Sequence, residues 1–130
     1  MTTPFWCLLV AVLTPYVLAG TGGYFKGKQL GSVDNHNPRA QSLLLKGPGA
    51  RAVAAQANAW EALPVFASAV FVAHLAGADA GSSASAALLF VAARAAHAGC
   101  YLADLATARS LAFLIGFGSC IWLFVLAAQA

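Results

Sequence analysis

Four apolar stretches, near residues 4–25, 50–76, 84–105 and 109–128, take up most of this 130-residue chain. Each can form a helix that crosses a hydrocarbon layer of roughly 30 Å, which takes about 20 apolar residues. Only 8% of the residues are charged and 61% are hydrophobic, whereas a soluble domain carries about 25% charged residues. So few charges cannot cover a water-facing surface. The pattern predicts an all-α integral membrane protein: a four-helix bundle of up-down topology, forming one domain over residues 1–130, with bilayer lipid as its main surroundings.

The long polar segment is 26–49, with Lys26, Lys28, Asp34, Asn35, His36, Asn37, Arg39 and Lys46, and it closes on the turn sequence Gly47-Pro48-Gly49. Five of the seven basic residues lie between Lys26 and Arg51. By the positive-inside rule this segment is a cytoplasmic loop and both termini lie on the far side, which is periplasmic if the membrane is a bacterial inner membrane. The net charge of +3 is thus a topology signal and does not point to a nucleic-acid partner. No basic residue precedes the first apolar run, so that run is expected to be a retained helix, kinked at Pro15. Cys7, Cys100 and Cys120 sit in apolar runs at spacings that suggest neither a disulfide nor a metal site, and they read as small buried hydrophobes. Alanine-rich stretches in the second and third spans suggest close helix packing through small residues.

Ionisable side chains inside a membrane helix cost about 2.5–3.5 kcal/mol each at its centre, so those that persist are expected to face the bundle interior and to pair. Arg51, Asn58 and Glu61 fall roughly on one face of the second span, with Gln56 close by. Arg94, His97 and Tyr101 follow i, i+3, i+7 spacing on one face of the third. Both stripes lie toward the basic end of their helices. They are expected to meet, with Glu61 and Arg94 as an ion pair in a mainly cationic pocket open to the cytoplasm. Such a pair could serve only to fix helix register, or the pocket could bind an anionic polar ligand. His74 stands alone near the other end and reads as an interfacial side chain, and Tyr101 and Trp122 can equally be interfacial anchors. No charged stripe runs the full length of a span, which argues against a channel or transporter.

The segments NPR at 37–39, RAVAAQANAWEALPVF at 51–66, RAAHAGCY at 94–101 and ARS at 108–110 resemble the MAPEG family, the membrane-associated proteins in eicosanoid and glutathione metabolism, and within it a small bacterial branch. The resemblance covers roughly Asn37 to the C-terminus and implies a four-helix protomer that assembles as a homotrimer. In the glutathione-using members the tripeptide binds between neighbouring subunits near the cytosolic face. Gln56, Asn58 and Glu61 match glutathione-contacting positions of the second helix. Arg94, His97 and Tyr101 match third-helix positions lining the same site, and Arg51 matches an arginine one turn before the motif. Arg109 matches the arginine at the start of the fourth helix, the catalytic candidate, which would stabilise the thiolate of glutathione.

The chain departs from the family pattern at Ala54, where the enzymes carry a basic residue, and at Ala62, a tyrosine in some synthases. The resemblance therefore implies either a glutathione-dependent transferase or peroxidase acting on a lipophilic substrate, or a non-catalytic lipid-binding or scaffold subunit.

Overall fold

A computed structural model describes residues 1–130, and its regular structure is helical throughout: α1 (Thr3–Leu30), α2 (Pro38–Ser42), α3 (Pro48–Ala76), α4 (Ala80–Leu102) and α5 (Ala106–Ala128). The four long helices, α1, α3, α4 and α5, are each long and apolar enough to span a membrane. α1 runs through Pro15 and past the expected end at Phe25, to a left-handed Gly31 at φ 85°.

The extension has a clear cause. Lys26 turns inward and its Nζ donates to the Pro38 carbonyl at 2.7 Å. One turn on, the Gln29 amide bonds both backbone groups of Lys46, each at 3.0 Å. The polar segment is therefore an ordered cap and not an open loop. Within it Asp34 Oδ1 accepts the His36 and Asn37 N–H groups, and buried Gln41 bonds Ser32 and Asp34.

Other helix ends differ from the sequence expectation for equally local reasons. α4 starts at Ala80 and not Ala84, because Asp79 caps it and accepts the Ser82 N–H at 2.8 Å. The same bond holds the Asp79 carboxyl below the usual carboxylate range. The α4–α5 turn is three residues long, Ala103 to Leu105, with Asp104 left-handed at φ 62°. α5 therefore begins three residues before Arg109, which sits at the end of its first turn.

Small residues let the helices approach closely. The core is built from Ala69, Ala73, Ala86, Ala87 and Val70 around Phe66 and Phe90, whose rings stack 3.8 Å apart at 7°. α1 packs chiefly on α3, and α4 on α5. The start of α1 meets the end of α3, where Phe5 lies against Phe71 and His74. Only 27 of 130 residues are buried. Side chains such as Val17, Leu75 and Leu114 point outward, so the exterior is suited to lipid or to another apolar surface.

At Gly49 the start of α3 comes close to the end of α1. A Cβ there would stand 3.0 Å from Gln29 Nε2, 3.1 Å from Phe25 Cβ and 3.2 Å from Leu45 Cβ. Gly49→Ala should therefore lower stability by about 1–3 kcal/mol through overpacking, even though alanine favours a helix. Gly20→Ala, which meets nothing within 4 Å, should be neutral or stabilising. Thermal unfolding in detergent measures the pair, and equal behaviour would refute the close approach.

Candidate functional site

Arg94 and His97 are ionisable side chains that the fold hides within α4; their exposures are 8% and 3%. Arg94 fits because α5 presents Gly116 to it: a Cβ at Gly116 would lie 3.5 Å from Arg94 Cδ and 3.7 Å from Ala93 Cβ. Its guanidinium reaches across to α3, where Nη2 donates to Asn58 Oδ1 at 2.7 Å. Asn58 Nδ2 in turn donates to Glu61 Oε2 at 3.4 Å.

The two stripes therefore meet, but Glu61 and Arg94 are not the direct ion pair expected from the sequence. An amide relays between cation and carboxylate. The reason is radial: Asn58 faces α4, whereas Glu61, one turn on, is exposed at the helix surface. The ion pair is instead Arg51 Nη1 to Asp104 Oδ2, at 3.5 Å.

His97, Tyr101 and Arg109 complete the group. The His97 ring lies edge-on to Tyr101 with centroids 5.5 Å apart, and its buried Nδ1 has no hydrogen-bond partner. The Arg109 guanidinium sits 4.5 Å over the Tyr101 ring, a cation–π contact. Tyr101 is thus turned into the site and is not a lipid-facing anchor; Trp122, on α5, remains exposed.

Two cavities adjoin these residues. A polar one of about 380 Å³ is lined by Asn58, His97, Tyr101, Arg109, Ser110 and Phe113, with Leu114. A smaller one, about 210 Å³, has Asn58, Glu61 and Arg94 at one side and apolar walls from Val65, Phe90, Phe117 and Cys120. Asn58 and Phe113 belong to both. A polar chamber and an apolar chamber thus meet at one wall, where an ionic molecule and a lipophilic one could be held side by side.

Two expected site residues lie elsewhere. Arg51 bends to the α4–α5 turn, where Nε donates to the Leu102 carbonyl at 3.3 Å and Nη1 pairs with Asp104. Gln56 lines a separate groove of about 280 Å³ with Gly22, Lys26, Arg39 and Val53. Two residues along a helix is about 200° of rotation, so Gln56 and Asn58 look in opposite directions. Sequence reading missed Gly116, Phe113 and Ser110. Gly116 could have been found as the small residue in α5 that an arginine of this depth requires; the other two follow only from the position of Arg109 one turn into α5.

The amide relay makes a distinct prediction. Asn58→Ala leaves a buried guanidinium without its acceptor and should cost about 1–3 kcal/mol or more. Glu61→Gln keeps an acceptor for Asn58 and should cost much less. Thermal unfolding of both variants in detergent gives the order, and the reverse order would point to a direct Glu61–Arg94 pair.

Comparison with known proteins gives the same family that the motifs resemble. The model described as MAPEG family matches residues 3–129. No curated protein matches the chain, and no solved structure does. The chain belongs to the MAPEG family.

Proposed function

We propose, from membership of that family, that the protein is a glutathione-dependent transferase or peroxidase of the bacterial inner membrane, acting on lipophilic substrates. One observation carries the reading: the polar chamber holding Arg109 and Tyr101 shares the Asn58–Phe113 wall with an apolar chamber. Glutathione would occupy the polar chamber and reach past Asn58 to the Glu61–Arg94 side of the smaller one. Its thiol has an ordinary pKa, and the thiolate is the nucleophile; a nearby cation favours the charged form. Arg109, which lines that chamber, would take that role. Arg94 offers its unused N–H groups to a carboxylate, since guanidinium pairs carboxylates in a bidentate fork. Glu61 can receive the ammonium group of the tripeptide. The second substrate would enter the apolar chamber from the bilayer. There the thiolate sulfur forms a bond to an electrophilic carbon, whose leaving group departs with the electron pair, or to a peroxide oxygen. In the peroxide case the O–O bond breaks and the alcohol leaves as an alkoxide that takes up a proton. A second glutathione thiol then converts the sulfenic acid to the disulfide and water.

The protomer is proposed to work as a homotrimer of up-down bundles, one domain over 1–130, of the small bacterial branch of the family. Both termini would be periplasmic and the site would face the cytoplasm. The Gln56 groove supports assembly. Gln56 matches a glutathione-contacting position, yet in the protomer it looks away from Asn58, so a second copy could bring its own Gln56 to the chamber.

A non-catalytic reading, as a lipid-binding or scaffold subunit, has its own support. Ala54 replaces a basic residue of the family motif, and Arg51 is engaged by Asp104.

Two measurements separate these readings. Arg109→Ala should abolish glutathione-dependent turnover of a lipophilic electrophile while leaving the oligomer unchanged in size on chromatography; full turnover in that variant would defeat the mechanism. Glutathione at several millimolar should also raise the unfolding temperature of the wild type, because a ligand that binds only the native state stabilises it by mass action. No shift would favour the non-catalytic subunit.

A further inference from the structure

The far end of the bundle holds another, partly open pocket with polar side chains in its lining, independent of the glutathione reading. The start of α1, the end of α3 and the start of α4 surround a cavity of about 250 Å³. Its walls include Phe5, Val70, Ala73 and Leu123, and three polar side chains break the apolar lining, Thr2, His74 and Ser83. His74, read from the sequence as an interfacial side chain, lies in the last turn of α3. It is exposed, with its ring edge-on to Phe5 at 4.9 Å.

Ser83 is the unusual one. Hydroxyls in this chain bond, as a rule, to the carbonyl four residues back: Thr14 to Val10, Ser68 to Pro64, Ser85 to Gly81, Ser119 to Ile115. Ser83 breaks the habit. The Asp79 carbonyl, its counterpart, accepts the Ser83 backbone N–H at 3.0 Å, and the hydroxyl has no partner although the residue is only 7% exposed. A buried hydroxyl left without a hydrogen bond costs about 1–3 kcal/mol. The chain keeps one on a residue that lines a largely apolar cavity, its oxygen closed off from the cavity in the present side-chain position.

We infer that this cavity binds the ester end of one acyl chain of a bilayer glycerolipid, whose carbonyl accepts the Ser83 hydroxyl once that side chain rotates about χ1 toward the cavity. Depth selects this occupant. α4 has 23 residues, about 34 Å at 1.5 Å per residue, against a hydrocarbon core of roughly 30 Å. Ser83, three residues past the first residue of α4, therefore lies close to the hydrocarbon boundary, where the glycerol esters of a bilayer lie. The walls suit the first carbons of a chain. The mouth offers His74 to the polar glycerol region and carries no lysine or arginine, so the site takes a zwitterionic lipid without needing an anionic head.

The test exploits ether lipids, which lack the carbonyl. The full-length protein is reconstituted with ester-linked or ether-linked phosphatidylcholine of equal chain length, and the lipid retained after detergent extraction is counted by native mass spectrometry. Wild type should retain the ester lipid several-fold more than the ether lipid, and Ser83→Ala should lose that preference. Equal retention of the two lipids by wild type, or a preference that survives in Ser83→Ala, overturns the proposal. In lipid-free detergent Ser83→Ala should unfold at or above the wild-type temperature, because it removes an unpartnered hydroxyl. A clear fall there would mean that the hydroxyl has a partner inside the protein, and would overturn the proposal too.

Discussion

A guanidinium held at membrane depth sets the terms for the rest of this structure. Placing Arg94 in a spanning helix costs about 2.5–3.5 kcal/mol by insertion scales, and its depth leaves it 8% exposed. The fold meets that demand with geometry. Gly116 on α5 leaves room for the aliphatic stem, Ala93 sits beside it, and Asn58 on α3 supplies an acceptor at 2.7 Å. Three helices are thereby fixed relative to one another by one side chain. The two chambers at Asn58 follow from this arrangement: where α3, α4 and α5 close around a long polar side chain, they cannot also close around each other.

The relay through Asn58 also explains how a cation and a carboxylate can be coupled without being spent on each other. In a direct ion pair, Arg94 and Glu61 would saturate one another's best hydrogen-bonding directions. With the amide between them, Arg94 gives one N–H to Asn58 and keeps others, while Glu61 stays exposed at the helix surface. Both groups remain free to meet a ligand. A register pin alone would gain from direct contact, so the indirect geometry favours the ligand-binding reading of these residues.

The four spans were legible in the sequence because lipid imposes a long apolar run that nothing else in a short chain imitates. Their ends were less so. Phe25 looked like the end of α1 because lysines follow it, yet Lys26 is satisfied by a carbonyl twelve residues away and Gln29 by one seventeen away, and such distant partners leave no periodic signal. Asp79 was visible as a turn residue, and its capping role would have moved the start of α4 from Ala84 to Ala80. The convergence of Asn58 with Arg94 was readable from i, i+3, i+7 spacing. The fate of Arg51 was not, since its partner Asp104 lies in a three-residue turn with a left-handed backbone. Gln56 was grouped with Asn58 by the family motif, and about 100° of helix rotation per residue puts the two on opposite sides of α3 within one protomer. Ser83 escaped notice because a serine in a helix is ordinarily satisfied by its own backbone.

The diversion of Arg51 bears on what the site can hold. With Arg51 paired to Asp104, the charges around the two chambers are Arg94 and Arg109 against Glu61, a surplus of one positive charge. Glutathione near neutral pH carries two carboxylates and one ammonium group, a surplus of one negative charge. The match is group by group as well as net, two guanidiniums for two carboxylates and one carboxylate for the ammonium. If the thiol ionises, a second negative charge appears with no third arginine to balance it. Arg109 would then have to serve the sulfur and release whatever carboxylate it held, or a cation from another copy would have to approach. The groove lined by Gln56 also carries Lys26 and Arg39, so the face that a neighbouring subunit would present is itself basic. If glutathione is the ligand, as proposed, a protomer with Ala54 and an occupied Arg51 is one charge short of the thiolate state, and the proposed assembly would be the route that supplies it.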